Sequence, residues 1–407
     1  MKKINLKIGT LSVLVSLCTF SVNADTLLIH AGKMLVGVEQ AVKQQQTIVI
    51  ENDKITAIEA GYLTKEQLNL TDATIIDLKN QMVLPGLIDM HVHLTFERDT
   101  KRNPHQWLTE YEADDALRSL KYLKRTVDAG FTSVRDLGSR YQVIFPLKRA
   151  IERGDIPGPR IFAAGDMITP TGGHADMHGY RRDVSQAIGG GLGVCNGADD
   201  CTRAVRDVIK SGADVIKITA TGGVLSNTAA GVNQQFTDDE LTAIVNTAHH
   251  LGRPVTAHAH GTEGIKAALR AGVDSIEHGS FLDKDTVKLF KKQDAYLIPT
   301  LLAGATVKQE VLENPNMPKA IADKGVSKHG DNAKEFELLV NYGMTPKEAI
   351  KSATVEAAKL LGQSEHLGDL SVGKQADIIS VNMNVLDNIS ELRNVRFVMK
   401  GGDVLKQ

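Results

Sequence analysis

Apolar and polar positions fall into three regimes along the chain. From residue 25 to 82 they alternate with period two. Thr26–His30, Gln46–Ile50, Lys54–Ile58 and Thr74–Asp77 read as strands, separated by glycine and Asn/Asp turns. The tail repeats the habit: Gly373–Asp377 leads into Ile378–Val381, and Val395–Met399 ends at Gly401 and Gly402. Strands at both ends around one large middle segment predict a small composite β-sandwich domain from residues 25–82 and 365–407. The middle, 83–364, alternates short apolar runs with helical periodicity, the pattern of βα units. It predicts strands over 83–90, 131–136, 159–164, 214–219, 254–258, 273–277 and 295–301. Helices are predicted over 113–129, 201–211 and 237–251. So many βα units predict an α/β fold with a TIM-like (β/α) barrel. A doubly wound open sheet is the alternative, but no Gly-x-Gly-x-x-Gly turn follows an early strand to favour it.

The start of the chain changes this picture. Lys2, Lys3 and Lys7 precede a short apolar run, Ile8–Phe20, and Val22-Asn23-Ala24 offers small residues before Asp25. Residues 1–24 read as a cleaved secretory signal, exporting the rest to a bacterial periplasm. The run is too short to anchor in a bilayer. Leu17 stands where a lipoprotein signal wants a small residue before Cys18. The formal net charge is −2, and more negative once the three lysines are gone. A mildly acidic protein without basic clusters does not suit nucleic acid or an anionic membrane. A homo-oligomer stays open. Cys195 and Cys201 lie in a Gly- and Asp-rich stretch read as a loop. In an oxidising compartment they suit a local disulfide, with two free surface thiols as the alternative.

Candidate chemistry sits at strand ends. Residues 83–93 read Val-Leu-Pro-Gly-Leu-Ile-Asp-Met-His-Val-His. His91 and His93, two apart on a strand, share a face. Such a pair suits a borderline metal, although the spacing also arises by chance. Lys217 interrupts a buried apolar strand, where a cation is costly unless neutralised, or else snorkels outward. His258 and His260 end the fifth predicted strand and His278 the sixth; singly, each reads as a satisfied polar residue. Of the first two, His258 ends the apolar run and is favoured, while His260 is an outside candidate on the same face. Thr171-Gly-Gly-His174 lies in a loop after the third strand, where His174 is either near the site or simple turn chemistry. Arg135 and Asp136 read as an ion pair orienting loops. His249, His250 and His366 read as solvated.

The Pro-Gly-Leu-Ile-Asp-x-His-x-His lead-in, the strand-four lysine, the later histidines and the tail Gly373-Lys-Gln-Ala-Asp377 together resemble the metal-dependent amidohydrolase superfamily. They are most similar to its exported dipeptidase or prolidase-like branch, related to imidazolonepropionase. The resemblance implies two divalent metals, zinc favoured by the histidine ligands. His91 and His93 would hold one and His258 and His278 the other, with Lys217, carboxylated, bridging them. It also implies attack of a metal-bridging hydroxide on a C–N amide bond, in dipeptides or N-acyl amino acids, with Lys217, His258, His278 and His174 at the reacting centre. A cyclic amide is the second substrate class. The resemblance further expects an eighth strand ending in an aspartate that handles the proton. No apolar, β-branched run lies between 303 and 332. The helices beyond are present, with a capping box at Thr345 and Glu348 and a last helical run over 349–362. The chain therefore reads as a barrel that has lost one strand, with Asp323 or Asp331 as stand-ins. A catalytically impaired metal-binding relative is the alternative function.

Overall fold

The computed structural model describes residues 26–97, 106–188, 193–223, 228–313 and 327–407. The predicted signal, residues 1–24, lies outside them. Four early strands, β1 (Thr26–Met34), β2 (Lys43–Glu51), β3 (Lys54–Ala60) and β4 (Thr74–Pro85), join three late ones in a single mixed sheet. The late strands are β12 (Ile378–Val381), β13 (Phe397–Lys400) and β14 (Asp403–Lys406), and the order is β14-β13-β12-β4-β1-β2-β3. Thus β4 is the hinge between the chain's two ends. It runs parallel to β1 and antiparallel to β12, with Pro85 opposite Ile378 and Met82 opposite Val381. Ile29, Ile48, Ile50, Ile55, Val83, Ile378 and Phe397 pack one face of this sheet. The strand β14 was not foreseen, because Gly401 and Gly402 read as an ending. They form instead a tight turn, both at positive φ, that returns the chain along β13.

The run from Val83 was expected to open the barrel, but residues 83–85 belong to β4. The chain passes from sheet to barrel at Gly86. A Cβ there would meet Thr132 Oγ1 at 2.2 Å, so only glycine allows the approach. The barrel strands follow: β5 (Leu87–Val92), β6 (Phe131–Asp136), β7 (Arg160–Ala163), β8 (Ile216–Thr219), β9 (Val255–Ala259), β10 (Ser275–His278) and β11 (Tyr296–Ile298). All pair in parallel, as β5-β6-β7 and β8-β9-β10-β11, and an Ile168–Ile218 bridge links the two sets. Helices α1 (Glu112–Asp128), α2 (Tyr141–Glu152), α3 (Arg182–Ile188), α4 (Ala198–Ser211), α5 (Asp238–His250), α6 (Thr262–Ala271) and α7 (Lys284–Gln293) fill the connections. Their apolar stripes, among them Leu123, Val127, Val205, Val208, Ile244, Val245, Ile265 and Leu269, are buried with the strands' outer residues in one core. Thr237 and Glu240 form a capping box that starts α5, and Gly272 in the left-handed region ends α6. This is the expected TIM-like architecture with an added sheet.

Among the described residues the barrel has seven strands. The last is shorter than the predicted 295–301, for α8 (Leu301–Glu313) begins directly after it. Residues 314–326, including Asp323, lie outside the described residues. The segment then continues as α9 (Lys334–Asn341), α10 (Pro346–Ser352) and α11 (Val355–Leu360). No described strand pairs with the outer edge of β11 or of β5. Side chains of one turn bridge the gap instead. Asn332 donates to the Asp89 carboxylate on β5, and the Glu335 carboxylate accepts from the backbone N–H groups of Leu301 (2.8 Å) and Leu302 (2.6 Å), just beyond β11. Ile88 N–H finds the Ala353 carbonyl at 2.7 Å. The cover is partial, and Leu297 remains 40% exposed.

Candidate metal centre

Parallel strands direct their C-terminal ends to one face, and the predicted residues meet there. His91 and His93 stand 5.4 Å apart, ring centre to ring centre, and His91 lies 5.0 Å from His278. His258 lies 4.7 Å from His278, and His174 stacks on His258 at 4.1 Å. His174 is therefore beside the cluster; its backbone N–H is held by Gln235. Lys217, on β8 between buried Ile216 and Ile218, is 2% exposed and does not snorkel. His260, the outside candidate, is inside: ligand-capable nitrogens of His258, His260 and His278 all lie within 4.8 Å of one another. The stand-in Asp331 is turned away, paired with Lys334 at 2.7 Å. His249 pairs with Asp274 at the surface, as its solvated reading implied.

Four of the rings have one nitrogen fixed by a neighbour. His91 Nδ1 lies 2.7 Å from Glu277 Oε2, His93 Nδ1 2.8 Å from the Gly138 carbonyl, His260 Nδ1 2.7 Å from Ser280 Oγ and His278 Nδ1 2.6 Å from Thr300 Oγ1. Fixing one nitrogen sets the ring's orientation and, against a carbonyl or carboxylate, leaves the other as a lone-pair donor. Both His278 (φ 73°) and Thr300 (φ 47°) are held at positive φ, a conformation costly for a β-branched residue. That strain is concentrated where a ring must be aimed.

The sequence reading missed Glu277. Its alternation with Ser275 places a carboxylate inside the barrel, which was the available signal. Glu277 accepts from Arg135 Nη2 at 2.7 Å and from Thr256, while Arg135 Nε donates to the Met90 carbonyl at 2.8 Å. The expected Arg135–Asp136 pair is thus replaced by Arg135–Glu277 across the barrel. Asp136 instead accepts from Leu94 N–H and Ser139 Oγ. Burial would raise the Glu277 carboxyl, but Arg135, His91 and Lys217 hold it below its ordinary value. Burial, with Lys217 nearby, drives His91 down to about 3. Burial, with Arg135, lowers Lys217 to about 8 against the pull of Glu277. Burial likewise lowers His93, His258 and His278 below the ordinary imidazole value, which favours the neutral form that binds metal.

Two buried atoms here lack hydrogen-bond partners among the described residues: Lys217 Nζ and His258 Nε2. Orphaned polar atoms in a fold's interior are rare and costly. Beside five further imidazoles, they fit a site completed by a divalent cation. Cys195 and Cys201 are disulfide-bonded and buried, the second within α4 and so outside the loop first assigned to it. The bridge ties α4 to the strand-like stretch at Thr169 that precedes His174.

Histidines converging at the C-terminal mouth of a parallel barrel are the arrangement of a barrel hydrolase. The family model "Amidohydrolase family" matches residues 82–405, and the chain belongs to that family. It is a hydrolase acting on C–N bonds. It is similar to a solved Xaa-Pro dipeptidase with bound methionine, at 38% identity and TM-score 0.86, over 94% of this chain and 100% of that one. A solved prolidase complexed with N-methylphosphonate-L-proline matches at 29% identity and TM-score 0.77, over 94% of this chain and 100% of that one. The ochratoxinase of Aspergillus niger is 29% identical, over 94% of this chain and 87% of that protein.

Proposed function

We propose that the chain acts on the amide bond of dipeptides or N-acyl amino acids at the histidine mouth, with two divalent ions, zinc first among them. The observation that carries this is the partnerless Lys217 Nζ and His258 Nε2, buried beside His91, His174, His260 and His278. Similarity to an Xaa-Pro dipeptidase and to a prolidase supports the substrate class. In this reading His91 and His93 would hold one ion and His258 and His278 the other, with Lys217 as a further ligand. Bound divalent ions supply an activated water near neutral pH and polarise the carbonyl. The protein's own part is orientation. Glu277 and the Gly138 carbonyl fix the tautomers of His91 and His93, and Arg135 keeps Glu277 anionic and in place. Lys217, lowered to about 8, has a neutral fraction near physiological pH, the form that carbon dioxide converts to an anionic carbamate. His174 stacks on His258 at the same mouth.

A second reading has an observation of its own. No eighth-strand aspartate reaches the cluster among the described residues, and general acid–base catalysis is typically worth about 10²–10⁴-fold. This reading makes the chain a metal-binding relative of weak turnover. The test is hydrolysis by the purified, metal-loaded protein of a panel of Xaa-Pro dipeptides, other dipeptides and N-acyl amino acids. Release that requires added divalent ion and disappears in Lys217→Ala supports the first reading. Bound metal without release from any member selects the second. Export to the periplasm belongs to the same proposal, and maturation before Asp25 in a secreting host tests it.

A further inference from the structure

We infer that Trp107 and Tyr180 form a side-chain subsite at the rim of the mouth, taking a large apolar side chain of the substrate. The inference rests on the proposed amide hydrolysis and adds the substrate class: dipeptides and N-acyl amino acids bearing leucine, methionine or phenylalanine. Position is the first support. Trp107 lies in a 3₁₀ turn (Gln106–Leu108) ahead of α1, and Tyr180 two residues ahead of α3. Helices of a βα barrel run back from the mouth, so residues just before them sit on the face where the strands end. That is the face of the histidine cluster. The same two connections carry His93 at the start of one and His174 within the other.

Contact is the second support. The two rings meet edge to face, 6.1 Å apart at 85°. Strand β6 lies between β5 and β7, so this contact reaches across the end of β6, where the connection is short, residues 137–140. The loop that ends in Tyr180 is held in shape from within and from behind. Gly172 N–H donates to the Asp176 carboxylate (2.7 Å), His178 Nε2 lies 2.7 Å from the Gly173 carbonyl, and Asn196 Nδ2 donates to Thr171 Oγ1 (2.8 Å). Both rings are half-buried, and Leu108 and Tyr111, close to Trp107 in the chain, are 47% and 76% exposed.

The chemistry follows from these surroundings. The histidine cluster addresses an amide that every dipeptide has, so choice among side chains falls to the loops. Charged neighbours of the rings in the chain are already paired, Glu110 with Arg118 and Arg181 with Asp183. The rings themselves offer rigid apolar surface on side chains that lose little freedom on binding. Such surface discriminates by size, a single methylene being worth about 10–200-fold.

The test is kcat/KM of the full-length, metal-loaded protein on dipeptides and N-acetyl amino acids carrying leucine, phenylalanine, glycine or aspartate at each position in turn. At one position leucine and phenylalanine should exceed glycine and aspartate by about tenfold or more. Trp107→Ala and Tyr180→Ala should shrink that preference to about twofold, chiefly by raising KM for the large side chains. Trp107→Phe, which keeps a ring, should retain most of it. Trp107 is the sole tryptophan, so its fluorescence reports the subsite without turnover. Free leucine, a product the protein cannot cleave further, should shift that emission saturably at lower concentration than glycine, and the difference should be lost in Tyr180→Ala. The inference is overturned if hydrolysis shows no apolar preference, or if the alanine variants slow every substrate equally; in either case the proposed hydrolysis stands. If no substrate is cleaved, that proposal falls and the fluorescence decides alone: a leucine-selective shift upholds the subsite, and none overturns it.

Discussion

Two regions of the same barrel solve one problem in different ways. At β9 and β10 each strand is paired on both edges, and the site residues ride on backbone geometry that the sheet dictates. At the seam between β11 and β5 no backbone ladder is found among the described residues. Position is kept by side chains, Asn332 on Asp89 and Glu335 on the first N–H groups of α8. A ladder specifies register through many equivalent bonds, so losing one is tolerable. A side-chain staple concentrates the same duty in two residues. Unpaired strand edges are also open to foreign pairing, and Leu297, on the short β11, is partly bare.

The comparison can be broken most forcefully at its closed side. Glu277→Ala strands Arg135 as an unpaired buried charge, and such losses cost about 3–5 kcal/mol. Denaturant unfolding should reveal it, with metal affinity falling because His91 loses its orienting partner. Next comes the staple. Glu335→Ala removes an anionic acceptor from two N–H groups, and hydrogen bonds to charged groups are worth roughly 1.5–3 kcal/mol each. Hydrogen exchange should quicken around β11 and the start of α8 and leave β8 and β9 unchanged; uniform quickening would erase the distinction between the two regions. Replacing both Cys195 and Cys201 by serine should cost about 2 kcal/mol, the loop-closure value for so short a ring. Proteolysis should then begin near the loop bearing His174. The smallest effect is expected at Thr345→Ala, which uncaps α10 beyond the seam for about 1 kcal/mol in a thermal melt.

What could be read from sequence divides along the same line. His91, His93, Lys217, His258 and His278 were legible because period-two strands fix which side chains share a face, and parallel strands fix which ends converge. The disulfide was legible from the spacing of Cys195 and Cys201, given the export expected from the first 24 residues. His260 was underrated, because chain position alone cannot say how far past the strand a ring still reaches the cluster. Glu277 offered only its alternation with Ser275, and its meaning depends on Arg135, 142 residues away. The want of an eighth strand among the described residues could be anticipated, but the contacts across that seam could not, for nothing in the pattern around Asn332 and Glu335 announces that they will reach Asp89 and the amides of Leu301 and Leu302.

The end sheet carries a consequence of timing. Strand β4 is complete by Pro85, yet its neighbour β12 begins only at Ile378. As the chain is made from its N-terminus, β1 to β4 must wait through the synthesis of the whole barrel with one edge of β4 unsatisfied. Folding of that sheet therefore cannot finish before β12 has been made. A ribosome that stopped before Ile378 would release a protein whose β1–β4 half of the sheet still lacks its other half.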